Sequence, residues 1–190
     1  EAGWQVLRLG GSMVNVDGYR WKRFRGPVDQ RQPYEGFWHH FASSSFRIFE
    51  TLALCEAADV LCVITLSSFE DPADMADFVE YCFGADTSVW GRLRAEDGRG
   101  PPFRPFVVEI GNEQPLDPTF LEQVVKITHA MSDKASQLAL PFELRFAIGQ
   151  NIDMNNFDAA SGKLNTTVMM LKELDFLGVA VSWDAHIGGD

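Results

Sequence analysis

Apolar runs recur along this chain at roughly regular spacing, over residues 4–9, 60–66, 106–110, 144–148 and 179–183. Each is short, and each reads as a strand buried on both faces. Helical patterns lie between them. Phe46, Phe49 and Ala53 stand at i, i+3 and i+7, with Ser44 or Ser45 as cap. Asp71-Pro72 supplies an N-cap and a first helical residue, followed by Met75, Phe78, Val79 and Cys82 as a buried stripe. Asp117-Pro118 repeats that opening before Leu121, Val124, Val125 and Thr128. A last helix carries Leu164, Val168, Leu171 and Leu174, with Gly178 as its stop. Strand and helix thus alternate, which predicts an α/β fold with a parallel sheet and right-handed crossovers. About five strand–helix units without a nucleotide fingerprint suit part of a (β/α)8 TIM barrel, with a five-stranded doubly wound sheet as the alternative. Either fold puts function at the carboxyl ends of the strands. Residues 91–105, rich in Arg, Gly and Pro, read as an exposed loop.

The third run ends Val107-Val108-Glu109-Ile110-Gly111-Asn112-Glu113-Gln114. A carboxyl group at that end can act as a general acid, and the amide beside it can hold a substrate hydroxyl. Such equipment suits glycoside cleavage; the plainer reading is a solvated Glu113 opening the next loop.

Bulk composition is compatible with that chemistry. The chain has 190 residues, enough for one domain or a large piece of one, and 46% of them are hydrophobic. Its net charge of −11 disfavours a general binder of nucleic acid or anionic membranes, while a neutral sugar meets no such objection. Cys55, Cys62 and Cys82 have no Cys-x-x-Cys spacing and cannot all pair, which argues against a disulfide framework or zinc site. No apolar stretch reaches membrane-spanning length and no signal-peptide pattern opens the sequence. The chain opens without Met in strand-like residues and closes soon after a strand, so residues 1–190 read as a fragment of a longer protein, cut at both ends. Asn165-Thr166-Thr167 is a glycosylation sequon that matters only in a secreted eukaryotic protein; the compartment stays open, and so does a homo-oligomer.

Other strand ends and loops add candidates. The first strand finishes Leu9-Gly10-Gly11-Ser12, where paired glycines allow a tight turn or close approach of a ligand. The loop over residues 12–45 holds Tyr19, Trp21, Phe24, Tyr34, Phe37 and Trp38, and loops this long are often functional. Trp21 and Trp38 are either platforms for sugar faces or pins that hold the loop down. Arg20, Lys22, Arg23 and Arg25 interleave with those aromatics, a pattern also met in nucleic-acid binding. Adjacent His39 and His40 tend to point apart, so they make a poor metal pair. His186, near Asp184 and Asp190, can orient a carboxylate or bind a sugar hydroxyl; a metal site there rests on ligand types alone.

Several blocks in order carry a family resemblance: Leu7-Arg8-Leu9-Gly10-Gly11-Ser12, Tyr19-Arg20-Trp21-Lys22, Gly26-Pro27, Asp77-Phe78-Val79-Glu80-Tyr81 and Glu109-Ile110-Gly111-Asn112-Glu113. Over nearly its whole length the chain resembles the catalytic barrel of glycoside hydrolase family 51, the α-L-arabinofuranosidases of clan A. The resemblance implies a retaining glycosidase without cofactor or metal, acting on arabinose-containing glycans. Glu113 would be the general acid/base and Asn112 would grip the sugar beside the scissile bond. Trp38 matches an aromatic lining the pocket, and His186 the histidine ending the sixth barrel strand. Ser12 stands where the family has a sugar-binding Asn after Gly11, with Asn15 near enough to substitute, and Gly188 replaces a customary aromatic. Those departures bear on sugar specificity more than on reaction type. The family's nucleophile is a second Glu on the seventh strand. Retaining hydrolysis needs two carboxyls about 5–5.5 Å apart, and none in this chain can be assigned as the second. Residues 1–190 alone are therefore expected to be inactive. The alternatives are a carbohydrate-binding barrel without catalysis, or another clan activity such as a xylosidase or glucanase.

Overall fold

The computed structural model describes residues 3–114, 117–151, 172–175 and 181–186, with side chains throughout except at 149–151 and 181–186. Five strands, β1 Val6–Leu9, β2 Leu61–Leu66, β3 Val107–Asn112, β4 Arg145–Asn151 and β5 Val181–His186, form one sheet in the order β1-β2-β3-β4-β5. Every neighbouring pair is parallel. All five strands expected from the apolar runs are present, although β3 runs two residues and β4 and β5 three residues further than their apolar cores.

Strand order separates the two folds that the sequence left open. A doubly wound sheet reverses its order at a switch point, and this sheet does not reverse. With right-handed crossovers, an unreversed order sends every connecting helix to the same face. Leu7, Leu9, Cys62, Ile64, Leu66, Val108 and Ile110 supply that face, and they belong to the main apolar core. Arg8, Thr65 and Glu109 alternate with them and line the opposite face, whose amino-terminal part is apolar with Val6, Leu61, Val63 and Val107.

The helices are α1 Ile48–Ala58, α2 Pro72–Phe83, α3 Val89–Glu96 and α4 Pro118–Gln137. The two Asp-Pro openings behave as read: Asp71 accepts from the Ala73 N–H and Asp117 from the Phe120 N–H. Met75, Phe78, Val79 and Cys82 are all buried, as are Val124 and Thr128. Helix α1 differs from expectation. The Ser44 hydroxyl donates to the Gln32 carbonyl and the Ser45 hydroxyl accepts from Ser43, so neither caps the helix. Its N-cap is instead Arg47, whose N–H is taken by Glu50. Its buried stripe is Ile48, Phe49, Leu52 and Cys55, while Phe46 and Ala53 face outward.

Residues 91–105 are only in part the exposed loop their composition suggested: 91–96 belong to helix α3, and 97–105 form an irregular segment in which Phe103 alone is buried. Helix α3 begins at Val89, capped by the Ser88 hydroxyl, and Gly91 lies where a Cβ would fall 1.9 Å from the Ala85 carbonyl oxygen. Arg94 is fully buried, because its guanidinium donates to the carbonyls of Tyr81, Gly84 and Gly100. An arginine that ties three stretches of backbone together looks like a surface residue in the sequence. Of the expected last helix, residues 172–175 are helical and Leu174 is buried; Leu164, Val168, Leu171 and Gly178 lie outside the described residues. Cys55, Cys62 and Cys82 are free and buried, and no described helix is long and apolar enough to cross a membrane.

Candidate active site

The polar side chains of this second face gather towards the carboxyl ends of three adjacent strands. Arg8 on β1 reaches across β2, and its Nε lies 2.7 Å from Glu109 Oε2 while its Nη2 donates to Asn112 Oδ1 at 2.8 Å. The Thr65 hydroxyl, on β2 between them, donates to the same Glu109 oxygen. Glu109 is completely buried and Asn112 nearly so. A buried carboxylate survives only with partners of this kind, and here the partners also fix the amide of Asn112.

Asn112 reaches that position through a bulge. Between Glu109 and Asn112, three steps on β3 match two on β4. Without the extra residue, alternation would turn Asn112 away from Arg8. Gly111 carries the bulge at φ 68°, and a Cβ there would meet Gln114 Oε1 at 2.4 Å and the Phe120 ring at 3.0 Å. Glu113 follows at φ 51° and is exposed. A left-handed conformation costs a non-glycine residue roughly 1–2 kcal/mol, and such strain gathers at functional sites. Gln114 is held by the Ser68 hydroxyl at 2.6 Å.

The first strand's turn completes the cluster. A Cβ on Gly10 would fall 2.0 Å from Thr65 Oγ1, so only glycine leaves Thr65 free to hold Glu109. Gly11 turns at φ 98°, and Ser12 opens a short 3-10 turn that brings Asn15 back. Asn15 Nδ2 donates to the Asn112 carbonyl at 2.5 Å. Gly11, Ser12, Asn15, Asn112 and Glu113 are therefore grouped at the carboxyl ends of β1 and β3.

The remaining candidates divide. Trp21 is fully buried: its indole N–H donates to the Asp74 carbonyl, and Phe78, Tyr81 and Trp90 surround its ring at 5.3–5.5 Å. It has no face left for a sugar, so the platform expectation fails and the pin reading stands. Its neighbours are tied down too, with Lys22 on Asp74 and Asp77, Arg25 on Asp97 and Arg20 on Asp17. Trp38 is 64% exposed at the tip of a turn closed by the Tyr34–Ala42 bridge, with Phe37 against its ring. His186 ends β5 opposite Asn151; its side chain, Asp184's side chain, Gly188 and Asp190 lie outside the described residues. Among the described residues, no group of three His, Cys, Asp or Glu side chains is placed to hold a metal.

Arg8, Thr65 and Glu109 were not singled out as site residues. Their signal was present: a charged residue in the middle of an apolar strand run must find a partner or stay out of the core. Arg8 in Val6-Leu7-Arg8-Leu9 and Glu109 in Val107-Val108-Glu109-Ile110 satisfy each other.

Known proteins resemble this chain in sequence and in fold. A Streptomyces chartreusis protein described as an extracellular exo-α-L-arabinofuranosidase is 30% identical over 139 residues, covering 64% of this chain and 16% of its own length. A probable α-L-arabinofuranosidase A of Aspergillus terreus is 26% identical, covering 64% of this chain and 23% of its own. The chain thus spans less than a quarter of either relative. Among solved structures, an α-L-arabinofuranosidase of Thermotoga maritima superposes with a TM-score of 0.64 at 16% identity, over 98% of this chain and 47% of its own. A family 51 α-L-arabinofuranosidase of Bifidobacterium longum gives 0.65 at 17% identity, over 97% of this chain and 48% of its own. At such identities these two likenesses are of fold. The α-L-arabinofuranosidase 1 domain matches residues 3–141, most of the chain, and this protein therefore belongs to the α-L-arabinofuranosidases of glycoside hydrolase family 51.

Proposed function

We propose that these residues form part of a retaining α-L-arabinofuranosidase that releases arabinose from arabinose-containing glycans. The observation that carries this reading is the Arg8–Glu109–Asn112 network, which fixes an amide beside the exposed carboxyl of Glu113. In this role Glu113 protonates the leaving oxygen and then takes a proton from the attacking water. Asn112 binds a sugar hydroxyl next to the bond that breaks, supported from behind by Arg8 and Asn15. Trp38 and His186 complete the sugar pocket, and Ser12 flanks it. In this reading the five described strands form part of a (β/α)8 barrel, and among the described residues no second carboxyl is assigned as the nucleophile.

The test uses the longest natural chain that contains these residues, with an aryl α-L-arabinofuranoside as substrate. Glu113→Ala is expected to lower kcat at least a hundredfold, with partial rescue by azide. Azide needs no general base: it takes the place of water, displaces the enzyme's carboxylate from the glycosyl-enzyme and yields a glycosyl azide of retained configuration. A parent chain inactive on arabinofuranoside, xyloside and glucoside alike, yet able to bind glycans, would assign the barrel to carbohydrate binding instead.

A further inference from the structure

Cys55 and Cys62 have no part in the candidate site, and the fold places them on facing surfaces. Cys55 lies in the last turn of α1, on the same buried stripe as Leu52. Asp59 ends that helix in a left-handed turn at φ 54°, and the Val60 N–H closes it on the Cys55 carbonyl at 3.0 Å. The chain reverses there and enters β2 at Leu61, which puts Cys62 on the sheet face that α1 packs against.

Both thiols are buried, at 2% and 4% exposure. Both also line one cavity of about 160 Å³, together with Leu52 and Phe106. Burial and the neighbouring Cys55 thiol push the Cys62 thiol up, so Cys62 stays protonated and inert in the folded chain. Joining the two sulfurs requires both side chains to shift, which a tightly packed core resists. The shared cavity gives them the room. Cys82 offers no competing partner among the described residues: it is fully buried on α2, with Arg94 and Arg99 as its charged neighbours.

We propose that Cys55 and Cys62 join as a disulfide that staples α1 to β2 when the chain folds in the presence of a low-molecular-weight disulfide such as oxidised glutathione. The exchange takes place before folding buries the thiols. One cysteine thiolate attacks the S–S bond of the reagent, forms a mixed disulfide and releases one reduced thiol. The other cysteine thiolate then displaces the second half. The two cysteines give up two protons and two electrons, and the reagent leaves as two thiols. Only six residues lie between the cysteines, so the second step closes a short loop at small entropic cost. The staple sits at the amino end of β2, whereas Asn112 and Glu113 lie at the carboxyl end of β3. This inference is independent of the hydrolase reading.

The experiment makes the longest natural chain by cell-free translation, once with oxidised and reduced glutathione and once with dithiothreitol. Soluble protein is alkylated under denaturing conditions and mapped by peptide mass. The glutathione sample should contain a linked Cys55–Cys62 peptide, lighter by two hydrogens, with Cys82 alkylated. The dithiothreitol sample should show all three alkylated. The linked form should melt about 5 °C higher, and Cys62→Ser should abolish that difference while Cys82→Ala keeps it. Cys55 and Cys62 found alkylated, or each carrying its own glutathione, in the glutathione sample overturns the proposal whatever the melting temperature does. Linkage of either to Cys82 overturns it as well.

Discussion

Two tryptophans in one loop have opposite fates. Trp21 and Trp38 both follow β1, in a segment dense with aromatics and charge. Trp21 is sealed against α2 and α3, whereas Trp38 stands 64% exposed at a turn. The difference lies in what surrounds the rings. Both N–H groups of Trp21 find a partner: its backbone N–H meets Glu70 Oε1 at 2.7 Å and its indole N–H meets a carbonyl, while Lys22 beside it bridges two carboxylates of α2. Around Trp38, His39 and His40 are exposed and the described ring contact is with Phe37. Aromatic content marks a loop as important, and the polar partners decide whether an aromatic holds structure or is left available for a ligand.

Removing the pin is the strongest way to break this contrast. Trp21→Ala should cost about 3–5 kcal/mol, the usual result of emptying a large core site, read as a fall in urea midpoint. A loss below about 1 kcal/mol would mean that the loop is anchored elsewhere.

A smaller effect sharpens the contrast through pH. Burial pushes the Glu70 carboxyl up to about 7, although the Trp21 N–H and Arg20 hold it down against that pressure. The folded chain then binds this proton more tightly than the unfolded one, so its contribution is fullest below about 4.5 and is lost as pH rises through 7. A tenfold gain in proton affinity is worth about 1.4 kcal/mol, so Glu70→Gln should be the more stable chain by on the order of 2 kcal/mol at pH 8. The gap should close near pH 4.5. Denaturation of both chains across that range checks the sign, and a gap that does not change with pH contradicts the burial argument.

Trp38→Ala is the smallest change for stability, expected within about 0.5 kcal/mol because an exposed ring has little to lose. If it lines the sugar pocket, KM for the arabinofuranoside should rise while the melting temperature stays. A large loss of stability instead would show that Trp38 packs in the whole protein as Trp21 does here.

Legibility in the sequence followed the range of the interaction involved. The strands were readable because each apolar run reports its own burial, and the two Asp-Pro helix starts because a cap is a contact between near neighbours. Helix α3 was missed because Gly91 and Arg94 owe their places to Ala85, Tyr81, Gly84 and Gly100, contacts that composition does not reveal. The α1 cap was misplaced for a similar reason: Gln32 claims the Ser44 hydroxyl from twelve residues away.

By itself, then, the sequence determined the α/β alternation, the parallel sheet, and the Gly111-Asn112-Glu113 turn at the end of β3, all encoded within a few residues of one another. Tertiary structure alone decided that the sheet order runs without reversal, that Trp21 is a pin, and that Arg8 joins Glu109 and Asn112 from 101 and 104 residues away. Periodicity and capping act over one or two turns of chain. A buried charge takes its partner from whichever strand the fold lays beside it, and that choice is made in space.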